Sequence, residues 1–243
     1  MIAYYVTWDL TMKQKDNVIE AFKNNNNFAT LSQLYMLTDV SKWETKTPFA
    51  SIRRILQTNK EFYKITAGLW GLTEKKHEIE KKLNLINNEC QFSHSYYQGL
   101  IVSIGNLRGF QTFVPSQDKN KYFMDTRLGD LATLDSLYSF TYDELTQKAK
   151  FSDCIWFNER KMPHAFYEVE HSTNIKNSIN RFYELQDFRA KFFIVAHKNR
   201  YREFQNIISN SIYEKIKDIV YFADYESIAK QYEKESVKYE MGI

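Results

Sequence analysis

Apolar residues recur at helical spacing at the start of the chain, separated by short polar breaks. Residues 11–23 place Val18, Ile19 and Phe22 on one face of a helix, and a second apolar stripe begins at Leu31 after a run of asparagines. These patterns predict two short helices, each of which buries one face.

A third helix and a β-hairpin come next. Thr47 and Pro48 fit the N-cap and the first position of a helix. Its apolar stripe consists of Phe49, Ile52, Ile55 and Leu56. The stretch "EFYKITAGLWGLT" carries apolar residues on both sides of Ala67–Gly68, which is typical of a hairpin. Three helices followed by a hairpin is the order of elements in a winged helix-turn-helix.

Four polar residues of this front module are candidates for DNA contact. Ser51, Arg53 and Arg54 lie off the apolar stripe of the third helix, which enters the major groove in such modules. Lys64 lies near the hairpin wing. The planar fork of arginine suits guanine edges and phosphates. A solvated helix face remains the alternative for the arginine pair, and winged helices also bind proteins.

The rear half of the chain alternates between helices and strands. Three stretches have the character of strands: "DCIWF", "HAFYEVE" and "KFFIVA". The last is apolar throughout, which indicates a central strand covered on both faces. An amphipathic helix over residues 174–188 precedes it. This order of elements predicts an α/β (mixed α+β) fold. We expect a winged helix over 1–75, a helical connector over 76–92 and a mixed sheet flanked by helices over 93–243.

Composition sets broad limits on function. The 243 residues are 43% hydrophobic and 26% charged, which is ordinary for a soluble globular protein, and the net charge of +3 merely permits nucleic-acid binding. No apolar run approaches the length of a membrane span, and the N-terminus lacks the pattern of a secretion signal. Two cysteines are too few for a thiolate zinc site or a disulfide framework. We therefore expect a cytoplasmic protein without a membrane partner.

Two glutamates stand one residue apart in "HAFYEVEHSTN". In a strand, Glu168 and Glu170 point to the same face, and the preceding strand begins at Asp153, within reach if the two strands pair as a hairpin. Three converging carboxylates repel one another, and a divalent cation relieves that repulsion. Oxygen ligands with few imidazoles favour Mg²⁺ or Mn²⁺, which can polarise a phosphodiester and activate water. Taken alone, the tripeptide "EVE" is more simply interpreted as two charged side chains on the solvent-exposed side of a strand.

Other residues near this motif have weaker claims. Gln98, on the helix before the core, is a candidate for supporting the metal site, and His171 is better placed for a structural or phosphate contact than for metal ligation. Arg181 either supports the site or belongs to a solvated helix face. Asp118 lies in a polar stretch and receives no role.

Together these segments resemble a known nuclease core. Asp153, then "FYEVEHST" and "NIKNSINRFYELQDFRAKFFIVA", are similar to the PD-(D/E)xK family, and more narrowly to restriction-endonuclease-like proteins in which an "EVEHST" strand follows an "IDxxW" strand. Many of these carry an N-terminal winged helix of the HARE-HTH type. The likeness covers about residues 95–200 and implies that Asp153 and Glu168 ligate metal. Glu170 stands where most members have a lysine that orients or deprotonates the attacking water, a departure that favours two-metal catalysis but leaves room for a binding-only protein.

The resemblance leads to a functional expectation. We expect an Mg²⁺-dependent (or Mn²⁺-dependent), site-specific endonuclease of restriction or phage-defence type, and separate reading and cutting domains would suit a modification-sensitive enzyme. It would hydrolyse double-stranded DNA with metal-activated water held by Asp153, Glu168 and Glu170, and it would act as a homodimer because two strands need two sites. The alternatives are a non-catalytic winged-helix DNA-binding regulator with a degenerate nuclease-like domain, and a nuclease for RNA or branched DNA.

Overall fold

The computed structural model describes residues 13–83 and 85–241. The chain divides into two compact units, Met1–Ile79 and Glu80–Ile243. This division falls inside the predicted connector 76–92, while the predicted domain limits themselves stay a prediction. Within the described residues, no helix combines the length and the apolar character that a membrane crossing requires.

From residue 13 onwards, the front unit contains three helices that precede or flank a small antiparallel sheet. The elements in chain order are α1 (Gln14–Asn24), β1 (Phe28–Thr30), α2 (Leu31–Leu37), α3 (Pro48–Thr58), β2 (Phe62–Thr66) and β3 (Leu69–Leu72). The strand order is β1-β3-β2. The predicted helices and hairpin are present, and β1 is an addition. The first two residues of the predicted helix 11–23 lie outside the described part of the chain.

Local chemistry explains two features of this unit. Asn26 and Asn27 have positive φ angles of 60° and 69°, a conformation that asparagine tolerates better than most residues, and they turn the chain from α1 into β1. Pro48 occupies the start of α3, and Thr47 is its N-cap, although the Thr47 side chain makes no capping hydrogen bond. The buried stripe of α3 (Ile52, Ile55 and Leu56) agrees with the predicted apolar face.

The rear unit is built on a five-stranded mixed sheet. The helices that follow β3 are α4 (Lys76–Lys82), α5 (Leu85–Leu107), α6 (Leu128–Leu131), α7 (Asp143–Ala149), α8 (Ile175–Glu184), α9 (Tyr201–Ile208) and α10 (Tyr225–Met241). The strands are β4 (Gln111–Phe113), β5 (Tyr122–Phe123), β6 (Thr126–Arg127), β7 (Cys154–Phe157), β8 (Pro163–Glu170), β9 (Lys191–Ala196) and β10 (Val220–Asp224). The sheet order is β10-β9-β8-β7-β4, and β5 and β6 form a separate hairpin.

Helices cover both faces of this sheet, which confirms the mixed α/β class. β8, β9 and β10 are parallel, whereas β4 and β7 are antiparallel to their neighbours. On one face, Phe166 and Phe192 pack with Phe182 of α8. On the other, Trp156 lies so close to Gly105 of α5 that a Cβ there would meet the indole. The two faces are called the α8 face and the α5 face below.

The first helix of the rear unit is longer than predicted. α5 runs from Leu85 to Leu107 without a break, so residues 85–92 of the predicted connector belong to the same helix as Gln98. This continuous helix packs against β7 and β8.

Candidate metal centre at the β7–β8 edge

Asp153 stands immediately before β7, at the end of the β7–β8 pair that lies opposite the hairpin turn. Cys154 pairs with Tyr167 in the antiparallel register, which brings Asp153 level with Glu168 on the neighbouring strand. The backbone N–H of Val169 donates a hydrogen bond of 2.6 Å to Asp153 Oδ2. This bond fixes the carboxylate at the strand end, with its other oxygen turned towards α5.

Glu168 and Glu170 project from β8 to the α8 face, as the strand alternation predicts. Both side chains are buried, and each has a partner on or near α8. Arg181 Nη2 lies 2.7 Å from Glu168 Oε2. The hydroxyls of Ser178 and Thr173 donate to the two oxygens of Glu170. The supporting side chains therefore follow the glutamates at sequence separations of 3, 8 and 13 residues.

The second oxygen of Glu168 lacks such support. Glu168 Oε1 is buried and has no hydrogen-bond partner, and the whole residue is only 1% exposed. Burial raises the pKa of Glu168 well above its usual range; the charge of Asp153 raises it further, Arg181 opposes the shift, and Glu170 adds to it. A carboxylate in this position is costly to ionise unless a further positive charge joins it.

A second group of ligand-type side chains meets Asp153 from the α5 face. His94 Nε2 lies 3.4 Å from Asp153 Oδ1 and 3.7 Å from Asp118 Oδ2. Among the described residues, His94, Asp118 and Asp153 are the group of three whose potential ligand atoms all lie within 4.8 Å of one another. Glu168 and Glu170 are not members of that group.

Gln98 connects the members of this cluster. Its Nε2 donates to Asp118 Oδ2 at 2.9 Å and to the carbonyl oxygen of Asp153 at 2.6 Å. Lys121 lies 2.5 Å from the other oxygen of Asp118. The chain can approach α5 this closely because Gly99 has no side chain, since a Cβ there would stand 2.2 Å from the ring of Phe123.

Electrostatics couples His94 to its two acidic neighbours. Burial lowers the pKa of His94, but the adjacent Asp118 and Asp153 outweigh it and raise the pKa to about 10. Burial raises the pKa of Asp118, but His94, Lys121 and Gln98 together lower it to about 2. The charged forms of His94 and Asp118 therefore stabilise each other.

The structure brings most of the predicted rear-unit residues to one edge of the sheet. Asp153, Glu168, Glu170 and Gln98 all lie there. His171 lies just beyond β8, where its Nδ1 is 3.5 Å from the hydroxyl of Tyr225, and it is not a member of the His94 cluster. The roles of these residues stay predictions.

His94 and Asp118 are the residues that sequence reasoning missed. Asp118 lies in a polar turn twenty residues beyond Gln98, so nothing local pairs it with α5. A signal did exist for His94, because His94 and Gln98 are four residues apart on one helix and therefore share a face.

The predicted DNA-contact residues of the front unit lie on α3 and β2. Arg53, Arg54 and Lys64 are exposed, and Ser51 is half-buried. Arg53 Nη2 also donates to the hydroxyl of Tyr35 at 2.9 Å, so it has a structural contact within the unit. Arg54 and Lys64 present their charges at the surface, as a DNA-binding role requires.

Comparison with known proteins points to one enzyme class. Residues 75–241 match the family model described as the Type II restriction enzyme NmeDI C-terminal domain. The Type II restriction enzyme NmeDI of Neisseria meningitidis serogroup C is 32% identical over 108 residues, which span 42% of this chain and 30% of that enzyme. The chain therefore matches less than a third of the length of that relative. No solved structure was found to match the chain.

Proposed function

Because the chain belongs to the family of the Type II restriction enzyme NmeDI C-terminal domain, we propose that it is a metal-dependent endonuclease that cuts double-stranded DNA. The rear unit would carry the nuclease site at the β7–β8 edge. The front unit would act as a winged helix that binds DNA through α3 and the β2–β3 hairpin.

One observation carries the proposal. Two carboxylates, Asp153 and Glu168, lie level on neighbouring strands, and Glu168 Oε1 is buried without a hydrogen-bond partner. A protein does not gain stability by placing an unpartnered carboxylate oxygen beside another carboxylate. A divalent cation is the ligand that would make this arrangement favourable, and carboxylate oxygens suit Mg²⁺ or Mn²⁺.

The residues around the two carboxylates have separate tasks. The Val169 N–H holds the Asp153 carboxylate at the strand end, and Arg181 holds one oxygen of Glu168 so that the other is left for a ligand. When bound, a divalent cation would polarise the phosphodiester and stabilise the charge that develops on its oxygens. Asp153 and Glu168 would be its protein ligands.

Most PD-(D/E)xK proteins carry a lysine at the position that corresponds to Glu170. Glu170 would have a different task from that lysine. Its two oxygens accept hydrogen bonds from Ser178 and Thr173, so its orientation is fixed. A carboxylate with a fixed orientation can accept a proton or contact a second cation. It cannot stabilise the negative charge that develops on the phosphodiester. Arg181, whose guanidinium contacts Glu168, is a cation placed beside the site that could do so.

Cleavage of a supercoiled plasmid with and without Mg²⁺ tests the proposal. Wild type should linearise or nick the plasmid with Mg²⁺ and should be inactive with a chelator. Glu168→Gln should abolish cleavage, whereas Glu159→Gln, in the exposed turn between β7 and β8, should leave it unchanged. Plasmid prepared from methylating and non-methylating hosts would show whether base modification matters.

A homodimer on DNA is expected, because cutting both strands requires two sites.

A second candidate function has one observation in its favour. Since Arg181 already pairs with Glu168, and hydroxyls already pair with Glu170, both glutamates have partners in the chain itself. A non-catalytic DNA-binding regulator would need nothing more. Tight DNA binding that is insensitive to chelator, without cleavage in Mg²⁺ or Mn²⁺, would favour this alternative.

A further inference from the structure

A cluster on the α5 face of the sheet combines one imidazole with two carboxylates. We propose that His94, Asp118 and Asp153 bind a divalent first-row transition ion such as Mn²⁺, Co²⁺ or Zn²⁺. This site is distinct from the one proposed on Glu168, and the two share Asp153. The inference rests on the geometry of the α5 face and does not require that the protein cleaves DNA.

The spacing of the ligand atoms supports this assignment. Charge-assisted N–H···O bonds are usually about 2.7–2.9 Å long. His94 Nε2 lies 3.4 Å and 3.7 Å from its two carboxylate oxygens, which is too far for such bonds. Two ligands that each lie about 2.1 Å from one ion stand about 3.0 Å apart in an octahedral arrangement and about 3.4 Å apart in a tetrahedral one. The cluster is therefore spaced like a ligand set that needs little adjustment around an ion.

The orientation of the histidine ring is a separate indication. His94 Nδ1 lies 3.1 Å from the carbonyl oxygen of Val169, to which it can donate a proton. When the ring is neutral, as it is in a histidine that binds a metal ion, this hydrogen bond leaves the lone pair of Nε2 directed at Asp118 and Asp153. Histidines that ligate metals almost always donate their other ring nitrogen in this way.

Gln98 supplies a third indication. Its side chain is fully buried, and its carboxamide contacts both Asp118 and the Asp153 backbone through Nε2. The Oε1 atom of the same planar group is buried and has no hydrogen-bond partner. This oxygen would accept a hydrogen bond from a water molecule that completes the coordination shell of the proposed ion.

The donor set determines the class of metal. An imidazole nitrogen with two carboxylate oxygens suits Mn²⁺, Co²⁺ or Zn²⁺, whereas Mg²⁺ and Ca²⁺ prefer oxygen ligands alone. Lys121 neutralises part of the charge of Asp118, so a single divalent ion, rather than two, fits the cluster.

Titration of the metal-free full-length protein with Co²⁺ tests the site, because Co²⁺ absorbs visible light with an intensity that reports its ligands. Wild type should show a bound-Co²⁺ spectrum that His94→Gln and Asp118→Asn each weaken, with affinity reduced by about 100-fold. His77→Gln, which changes an exposed histidine, should keep this spectrum. Circular dichroism would confirm that each variant is folded.

The outcomes separate this inference from the proposed function. Co²⁺ affinity and spectrum that are unchanged in both His94→Gln and Asp118→Asn would overturn the second site, and His94 would then be a counter-ion for two carboxylates. Mg²⁺-dependent cleavage could persist in that case. Conversely, a protein that never cuts DNA but loses the Co²⁺ spectrum on His94 substitution would retain the site and refute the nuclease.

Discussion

The carboxylates near Asp153 have different kinds of partner on the two faces of the sheet. On the α8 face, Glu168 is held by a guanidinium and Glu170 by hydroxyls, groups whose charge does not change near neutral pH. On the α5 face, Asp118 and Asp153 share an imidazole, which a proton or a metal ion can occupy. The α8 face therefore fixes the orientation of its glutamates, whereas the charge on the α5 face changes with the protonation of His94.

Asp153 is the residue common to both faces, so its loss should have the largest effect. Asp153→Asn should reduce plasmid cleavage in Mg²⁺ on the order of a thousandfold, as expected when preorganised electrostatic stabilisation is lost. Single-turnover cleavage rates at saturating protein would measure this. Asp218→Asn, at an exposed position before β10, is the matched control. Undiminished cleavage by Asp153→Asn would exclude a shared role.

The fixed cation of the α8 face should matter next. Arg181→Met leaves Glu168 buried without its partner, so the chelated protein should lose about 3 kcal/mol of unfolding free energy in urea. Arg181→Lys, which keeps the charge, should lose less. Added Mn²⁺ should restore part of the stability of Arg181→Met, because the ion takes the place of the guanidinium beside Glu168. A variant as stable as wild type in chelator would show that Glu168 does not depend on this pair.

The stability that the α5 face contributes should depend on pH through His94. Since the pKa of His94 is raised from 6.5 to about 10, its contribution to stability is complete below pH 6.5 and is lost as the pH rises towards 10. In chelator, wild type should lose roughly 3 to 4 kcal/mol more than His94→Gln between pH 6.5 and 9.5. Urea denaturation at both pH values measures this difference. Equal losses in the two proteins would contradict the coupling of His94 to its carboxylates.

The smallest difference concerns the two hydroxyls on Glu170. Ser178 is fully buried, whereas Thr173 is exposed, and a lost hydrogen bond to a buried charged group costs more than one that water can replace. Ser178→Ala should therefore cost about 1.5 kcal/mol and Thr173→Ala under about 1 kcal/mol in urea unfolding. A larger loss for Thr173→Ala would mean that the loop after β8, and not the buried hydroxyl, orients Glu170.

The α8 face could be read from the sequence because its chemistry is local. Glu168 and Glu170 share a face through strand alternation, and Arg181 follows within one helix of the motif. The apolar stretch "KFFIVA" likewise gave β9 and the two-sided cover of the sheet. In each case the periodicity of a single element contains the information.

The α5 face could not be read in the same way. His94, Asp118 and Asp153 come from a helix, a turn and a strand edge, and only the packed fold brings them together. The polar appearance of the stretch around Asp118 was misleading, because the residue is only 2% exposed. The short strand β1 was missed for a related reason, since its turn depends on the positive φ angles of Asn26 and Asn27 in a run that looked featureless.

The number of Mn²⁺ ions bound by metal-free protein tests most directly whether Asp153 joins two metal sites. Electron paramagnetic resonance of free Mn²⁺ during titration would count them in wild type and in three variants. We expect two ions for wild type, one each for Glu168→Gln and His94→Gln, and neither site filled at the same concentrations in Asp153→Asn. If folded Asp153→Asn bound as many ions as wild type, the carboxylate at the β7–β8 edge would not be the centre of this chemistry.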